Sequence, residues 1–290
     1  MAGVASARMA PTSPVVARWE LVRRLRELRE QRGFDSAGFA RAVGFTPANW
    51  SHVEKGRRVL TANTIGPVLD LLAVGEQERA ELLALLAAGR ERGWWTRSAL
   101  IGPELQRYYG MEYGADSIRS YDSLVIPGML QTEAYARALI AADVMIRPAQ
   151  VEQLVAVRMR RRKRLHGHDP VALTAVVGEA TLLQQVGGQA VLCAQLEYLA
   201  GLLRTRPNVD IRVIPFAAPD GAILGGASFH LLDFASEYLP TFGWAESAVF
   251  GGPVDNPDQV HDLAFAFVRA LDQSLTRTES LALIEKYAAV

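Results

Sequence analysis

From Ala17 to Arg32 the apolar residues Leu21, Val22, Leu25 and Leu28 recur at helical spacing, and Arg18, Arg23, Arg24, Arg26 and Arg29 cover the rest. That pattern predicts an amphipathic helix with a charged outer surface, ended by Gly33. Phe39, Ala40 and Val43 then form the apolar side of a short helix over Ser36–Val43, and Gly44 follows it, where a left-handed backbone carries no steric cost. Thr46 is a good N-cap, and Pro47 sits at the first helical position, where its missing N–H is not needed. Trp50 and Val53, three apart, share the inner face of this second short helix, while Pro47, Ala48, Asn49, Ser51 and His52 face out. Two further helices are predicted, Thr64–Ala73 and Glu76–Arg92, the latter with Leu82, Leu83, Leu85 and Leu86.

Gly93-Trp94-Trp95 marks a change of texture: beyond it Gly-Pro and Pro-Gly pairs punctuate the chain and strands appear. The reading is helix over Pro103–Tyr113, extended chain over Ser117–Ile126 stopped by Pro127-Gly128, helix from an N-cap at Thr132 to Ala142, and helix over Ala149–Leu165. Strands follow at Val171–Val177, Asp210–Pro215, Ser228–Phe234 and Trp244–Phe250, with a helix over Gln189–Arg204 between the first two. Asn256 and Pro257 open a helix to Ser274 with Val260, Leu263, Phe267 and Leu271 on one face, and a last helix runs over Thr278–Ala288. Helices and strands without strict alternation predict an α+β domain. The expected organisation is a flexible tail over residues 1–15, an all-α five-helix domain over 16–92 and an α+β regulatory or partner-binding domain over 93–290.

The pair of short helices over Phe34–Arg58 carries the most informative chemistry. A helix whose outer face is short, polar and little charged, flanked by basic residues, fits a DNA major groove. An ordinary helical hairpin shares the apolar pattern; the ordered cues from Ala40 through the Gly44 turn and the Thr46-Pro47 start to the Glu54-Lys55-Gly56-Arg57-Arg58 exit favour DNA. The segment resembles the lambda-repressor-like, xenobiotic-response-element type of helix-turn-helix family, matched by Thr46 and by Glu54, Gly56 and Arg58 of an E-x-G-x-R exit. The resemblance implies DNA contacts from Ser36, Thr46, Pro47, Ala48, Asn49, Ser51, His52, Lys55, Arg57 and Arg58. Where that family usually has Gln bracing a phosphate contact, this chain has Ser36, whose hydroxyl is the replacement expected to reach a phosphate.

Charge sharpens this picture. Net charge is zero over 290 residues, yet Val15–Leu60 holds ten Lys or Arg against five Asp or Glu. The basic excess is thus concentrated on the proposed DNA-binding unit. Cys193 is the only cysteine, which excludes an intrachain disulfide or a cysteine metal cage and suits a reducing, cytoplasmic and nucleoid-associated setting. No apolar run approaches the roughly 18 residues that span a bilayer, so no membrane partner is expected.

Catalytic motifs are not evident. The glycine pairs at 187–188, 225–226 and 251–252 form no GxGxxG, and GxSxG, HExxH and phosphate-loop patterns do not occur. His166-Gly167-His168-Asp169 is read as a solvated turn rather than a metal site, and Glu179, Asp233 and Glu246 as isolated surface or capping carboxylates. The run Arg158–Arg164 is divided between plain solvation and a role beside DNA or an acidic partner. Most aromatics past residue 93 are expected in the core. Trp94, Trp95, Tyr121 and Tyr135, with Gln131 and Thr132 of the Pro127-Gly128 turn, are candidates for a ligand or partner site. No catalytic residue, metal or cofactor is expected.

At Arg92–Trp95, Ser120–Leu139 (SYDSLVIPGMLQTEAYARAL) and Pro207–Phe216 (PNVDIRVIPF) the chain resembles a large family of actinobacterial regulators that join this helix-turn-helix to a C-terminal domain of unknown function. That resemblance implies a sequence-specific transcriptional regulator, often encoded beside a very small acidic partner protein. The reading is therefore a non-enzymatic regulator on double-stranded DNA, a homodimer because two half-sites give one small module useful specificity. The alternatives are an antitoxin-like partner-binding protein with autoregulatory DNA binding, and an enzyme in the second domain.

Overall fold

Pro14, at the first helical position, starts the first helix among the described residues three residues before the apolar periodicity shows it. The computed structural model describes residues 10–219, 227–246 and 251–289. Its helices α1 (Pro14–Gln31), α2 (Ser36–Ala42), α3 (Pro47–Glu54), α4 (Ala62–Leu71) and α5 (Glu76–Gly89) build the N-terminal region. Leu21, Leu25, Phe39, Trp50, Val53, Ile65, Leu69 and Leu82 close one core at its centre.

The C-terminal region starts with α6 (Pro103–Gly114) and β1 (Ser117–Asp122), followed by α7 (Glu133–Ala142) and α8 (Val151–Arg162). After them come β2 (Ala172–Gly178), α9 (Gln189–Thr205), β3 (Val209–Ile214), β4 (Ser228–Asp233), β5 (Phe242–Glu246), β6 (Gly251–Val254), α10 (Pro257–Gln273) and α11 (Arg277–Ala288). The sheet is mixed, in the order β3-β2-β1-β4-β5-β6. Strands β1, β2 and β3 are parallel, joined by helical crossovers, and β4, β5 and β6 run antiparallel. Alternation along each strand divides the core. Ile118, Ala175, Val177, Ile211, Leu232 and Trp244 meet the α6 and α9 side, while Tyr121, Val176, Phe229 and Leu231 meet Phe267 and Ala270 of α10.

Three expectations are corrected. A single strand was expected over Trp244–Phe250. Strand β5 (Phe242–Glu246) contains its first three residues, and the expectation lacked β6, in which Gly251-Gly252-Pro253-Val254 pairs with β5, Pro253 opposite Trp244. An edge strand tolerates proline because one side of its ladder is unpaired, and such a segment carries no alternation to read. Residues 247–250 and the Gly225-Gly226 pair lie outside the described residues.

The tail expectation fails for residues 10–15. Ala10 N donates to Asp116 Oδ1 at 3.1 Å, and the buried Ser13 hydroxyl donates to Gly110 O at 2.6 Å. Residues 1–9 lie outside the described set.

The third correction concerns α1, which serves both regions. Its Leu21 and Leu25 enter the N-terminal core, while Val15, Val16 and Trp19 pack on the C-terminal one. Trp19 meets Phe234 and Phe242 edge-on at 5.5 and 6.1 Å between ring centroids. The crossing with α6 is close because Gly110 and Gly114 face it: a Cβ on Gly110 would stand 2.2 Å from Val15 Cγ2.

Candidate nucleic-acid interface

Thr46 caps α3 as its hydroxyl accepts from Asn49 N at 3.2 Å, and Gly44 takes a positive φ of 78° to make the turn before it. Trp50 is fully buried against Phe39 and Phe45, at 4.9 and 5.7 Å, which sets the rotation of α3 about its axis. That rotation leaves Pro47, Ala48 and His52 exposed and Asn49 and Ser51 at intermediate exposure. Past α3, Gly56 at φ 67° turns the chain back, and the amides of Arg57 and Arg58 both donate to His52 O, at 2.8 and 3.0 Å. Lys55, Arg57 and Arg58 are exposed beside the helix end, with the Arg58 guanidinium 5.7 Å from the Phe45 ring centre. Nine of the residues expected at DNA thus share one face or its basic exit.

Ser36 is the exception. Asp35, not Ser36, caps α2 by accepting from Gly38 N, and the Ser36 hydroxyl donates to Glu54 Oε2 at 2.8 Å. Arg29 Nε takes Glu54 Oε1 at 2.8 Å, its NH1 donates to Phe34 O at 2.6 Å, and Arg26 reaches Glu54 O at 3.0 Å. Arg24 is also turned in, onto Glu78 and Glu81. The arginines of α1 read as an outer coat therefore include two buried clamps. Sequence periodicity missed them because an arginine stem counts as polar even where acidic partners draw it inward.

The second region holds a larger polar network. Arg161 makes a two-pronged pair with Glu112, Nε to Oε1 at 2.8 Å and NH2 to Oε2 at 2.6 Å, both groups buried. The guanidinium lies 4.5 Å from the Tyr109 ring centre. Arg158 donates to Gln131 Oε1 at 2.8 Å, Gln131 Nε2 donates to Ile126 O at 2.6 Å, and Arg162 reaches Gln131 O at 3.3 Å. Gln195 finishes the clamp, accepting from Thr132 N at 2.6 Å and donating to Leu130 O at 2.8 Å. Arg164 is buried too, against the carbonyls of Ala115 and Asp169. Arg158 and Arg162 of the basic run thus brace the Pro127–Thr132 turn, and Arg161 and Arg164 are buried, which corrects the reading of these four as solvated or docking charge; Arg160 and Lys163 stay exposed, as that reading expected.

The expected ligand or partner residues are placed accordingly. Trp95, Tyr121, Gln131 and Tyr135 are buried, and Thr132 caps α7 by accepting from Tyr135 N at 3.3 Å. Trp94, half-buried like Thr132, opens onto a cleft of about 900 Å³ that it lines with Tyr113, Met159, Arg160, Lys163 and His166. Arg160 lies over the Trp94 ring at 4.9 Å. His168 is exposed, 3.7 Å from Asp169, and among the described residues no three His, Cys, Asp or Glu side chains gather to hold a metal.

The isolated carboxylates are corrected in part. Asp233 is a hub for Arg119, Ser117 and Thr241, and Glu179 accepts from Phe216 N and the Tyr287 hydroxyl. Glu246 accepts from Trp244 Nε1 at 3.1 Å. Sequence reasoning also missed a buried line across the sheet. The Tyr108 hydroxyl meets His230 Nδ1 at 2.5 Å, and His230 Nε2 stands 4.0 Å from Asp122 Oδ1. Burial opposes charge on His230, but Asp122 and Glu246 outweigh it and hold the imidazole's pKa above its ordinary value. No local signal marks this line, since its members come from α6, β1 and β4.

Helices α2 and α3, their turn and their basic exit define a helix-turn-helix protein of the DNA-binding class, and residues 20–82 match the helix-turn-helix domain family. Residues 105–286 match a second family, described as a domain of unknown function, DUF5753, and the chain belongs to that family. Neither a curated protein nor a solved structure matches the chain. Among the described residues, no helix is long and apolar enough to cross a membrane.

Proposed function

We propose that this protein is a sequence-specific transcriptional regulator of the lambda-repressor-like type that reads an operator with α3. The observation that carries the reading is the outward face of α3. Ala48, Asn49, Ser51 and His52 stand clear of the core while Trp50 and Val53 lock the helix from behind. A rigid helix with a short polar face and three cations at its exit can lie in a major groove, its side chains on base edges and its exit on phosphates. In this reading the protein acts as a homodimer on paired half-sites, has no catalytic activity, and takes its signal in the C-terminal region from a ligand or a small acidic protein. The actinobacterial setting and that partner rest on the resemblance alone.

The test is operator titration after the bound sites have been mapped across a genome. Asn49→Ala or His52→Ala is expected to weaken operator binding by about 1–3 kcal/mol and leave stability unchanged. Normal operator affinity in the double variant would overturn the assignment of α3 as reader.

A further inference from the structure

Helix α10 buries Phe267 and Ala270 against the sheet and turns a second apolar stripe away from it. Phe265 and Val268 are 65% and 50% exposed, large apolar side chains on the outer face of a well-formed helix. The stripe continues to His261 on one side and Asp272 on the other, both exposed. The spacing of 261, 265, 268 and 272 is four, three, four, so all four residues lie on one line of the helix. Asp262 and Arg269, also exposed, run along one flank. None of these four ionisable residues forms an ion pair among the described residues.

The order along the line is cation-capable, apolar, apolar, anion. Turned end for end, the same line is its own complement. We propose that α10 pairs antiparallel with the α10 of a second copy, about a twofold axis passing between Phe265 and Val268. Phe265 of each chain then meets Val268 of the other, and His261 meets Asp272. In an antiparallel pair the same flank meets itself, so Asp262 comes on the same flank as Arg269 of the other copy, two residues (about 3 Å) from its level. A twofold interface requires this property: every contact occurs twice, with the roles exchanged. A stripe that met an unlike partner would have no reason to be complementary to itself. The pairing supplies the second copy that the operator reading requires. It rests on that reading only for its purpose, not for its chemistry.

Sedimentation equilibrium of the full chain without DNA tests it, so a failure here is separable from a failure of operator binding. The wild-type chain is expected to be a dimer at micromolar concentration and Phe265→Glu a monomer with an unchanged helical spectrum. His261→Asp alone sets like charges opposite one another and Asp272→Lys alone removes the anion facing His261; each is expected to weaken the dimer by roughly tenfold, since each contact occurs twice. The double variant His261→Asp with Asp272→Lys exchanges the charges and is expected to restore it. Should Phe265→Glu fold poorly, the surface pair at 261 and 272 decides alone. A monomeric wild-type chain, a dimer indifferent to Phe265→Glu, or charge variants without rescue would each overturn the proposal.

Discussion

The Ser36 hydroxyl donates to Glu54 Oε2 at 2.8 Å, so the first residue of α2 is bonded to the last residue of α3. Arg29 holds the other Glu54 oxygen, and the three side chains fix the angle between the two helices from behind. Ser36→Ala removes one hydrogen bond while leaving Glu54 paired with Arg29. It is expected to lower the unfolding free energy by about 0.5–1.5 kcal/mol in a urea titration and to leave operator affinity nearly unchanged. A variant with full stability and weakened DNA binding would instead place the hydroxyl on a phosphate.

Arg57 and Arg58 extend from amides tied to His52 O, so their side chains leave a fixed point at the end of α3. Each is expected to anchor the DNA backbone regardless of sequence. Neutralising one should weaken operator and random DNA alike and lower the slope of log affinity against log salt by about one. Arg58→Ala with lost operator binding and intact non-specific binding would make Arg58 a base reader.

Arg161 and Glu112 form a doubly hydrogen-bonded pair in the interior. Removing one partner leaves an uncompensated buried charge. Glu112→Ala is expected to cost about 3–5 kcal/mol in denaturant unfolding. The brace on the Pro127–Thr132 turn should loosen with it, visible as faster hydrogen exchange at Leu130 and Thr132. A change below about 1 kcal/mol would show that water reaches the pair.

His230 titrates above its ordinary range in the folded chain, because Asp122 and Glu246 outweigh the burial that opposes its charge. A base whose pKa is raised by folding adds stability that is complete below its unfolded pKa of about 6.5 and is lost as pH rises through the folded value. The urea midpoint is therefore expected to fall as pH climbs from about 6.5 into the alkaline range, more steeply in the wild-type chain than in His230→Gln. Identical pH profiles for the two would remove this ion pair from the stability of the fold.

The N-terminal half was legible because its signals are local. Gly44 and Gly56 mark turns that need a positive φ, Thr46 and Pro47 open α3, and Trp50 with Val53 set its inner face within one turn. Five of the seven helices from α1 to α7 lie within two residues of where periodicity, caps and breakers put them; α1 starts three residues earlier because Pro14 extends it beyond its apolar repeat, and α5 ends at Gly89, three residues before the expected Arg92. The α+β character of the second half was equally readable from its alternating and apolar strand runs. What the sequence could not convey is who meets whom across long separations. Arg29 with Glu54, Arg161 with Glu112, and Tyr108 with His230 pair through space, and a charged residue reads as surface until a partner is placed beside it. The strand order, the edge strand β6, the sharing of α1 between both cores and the turning inward of Arg161 and Arg164 are of the same kind. Local sequence determines the backbone's turns and the face each helix buries, because propensity and caps act within a few residues. Tertiary structure alone decides which buried charges are compensated, because that depends on distances the chain sets only once it has closed on itself.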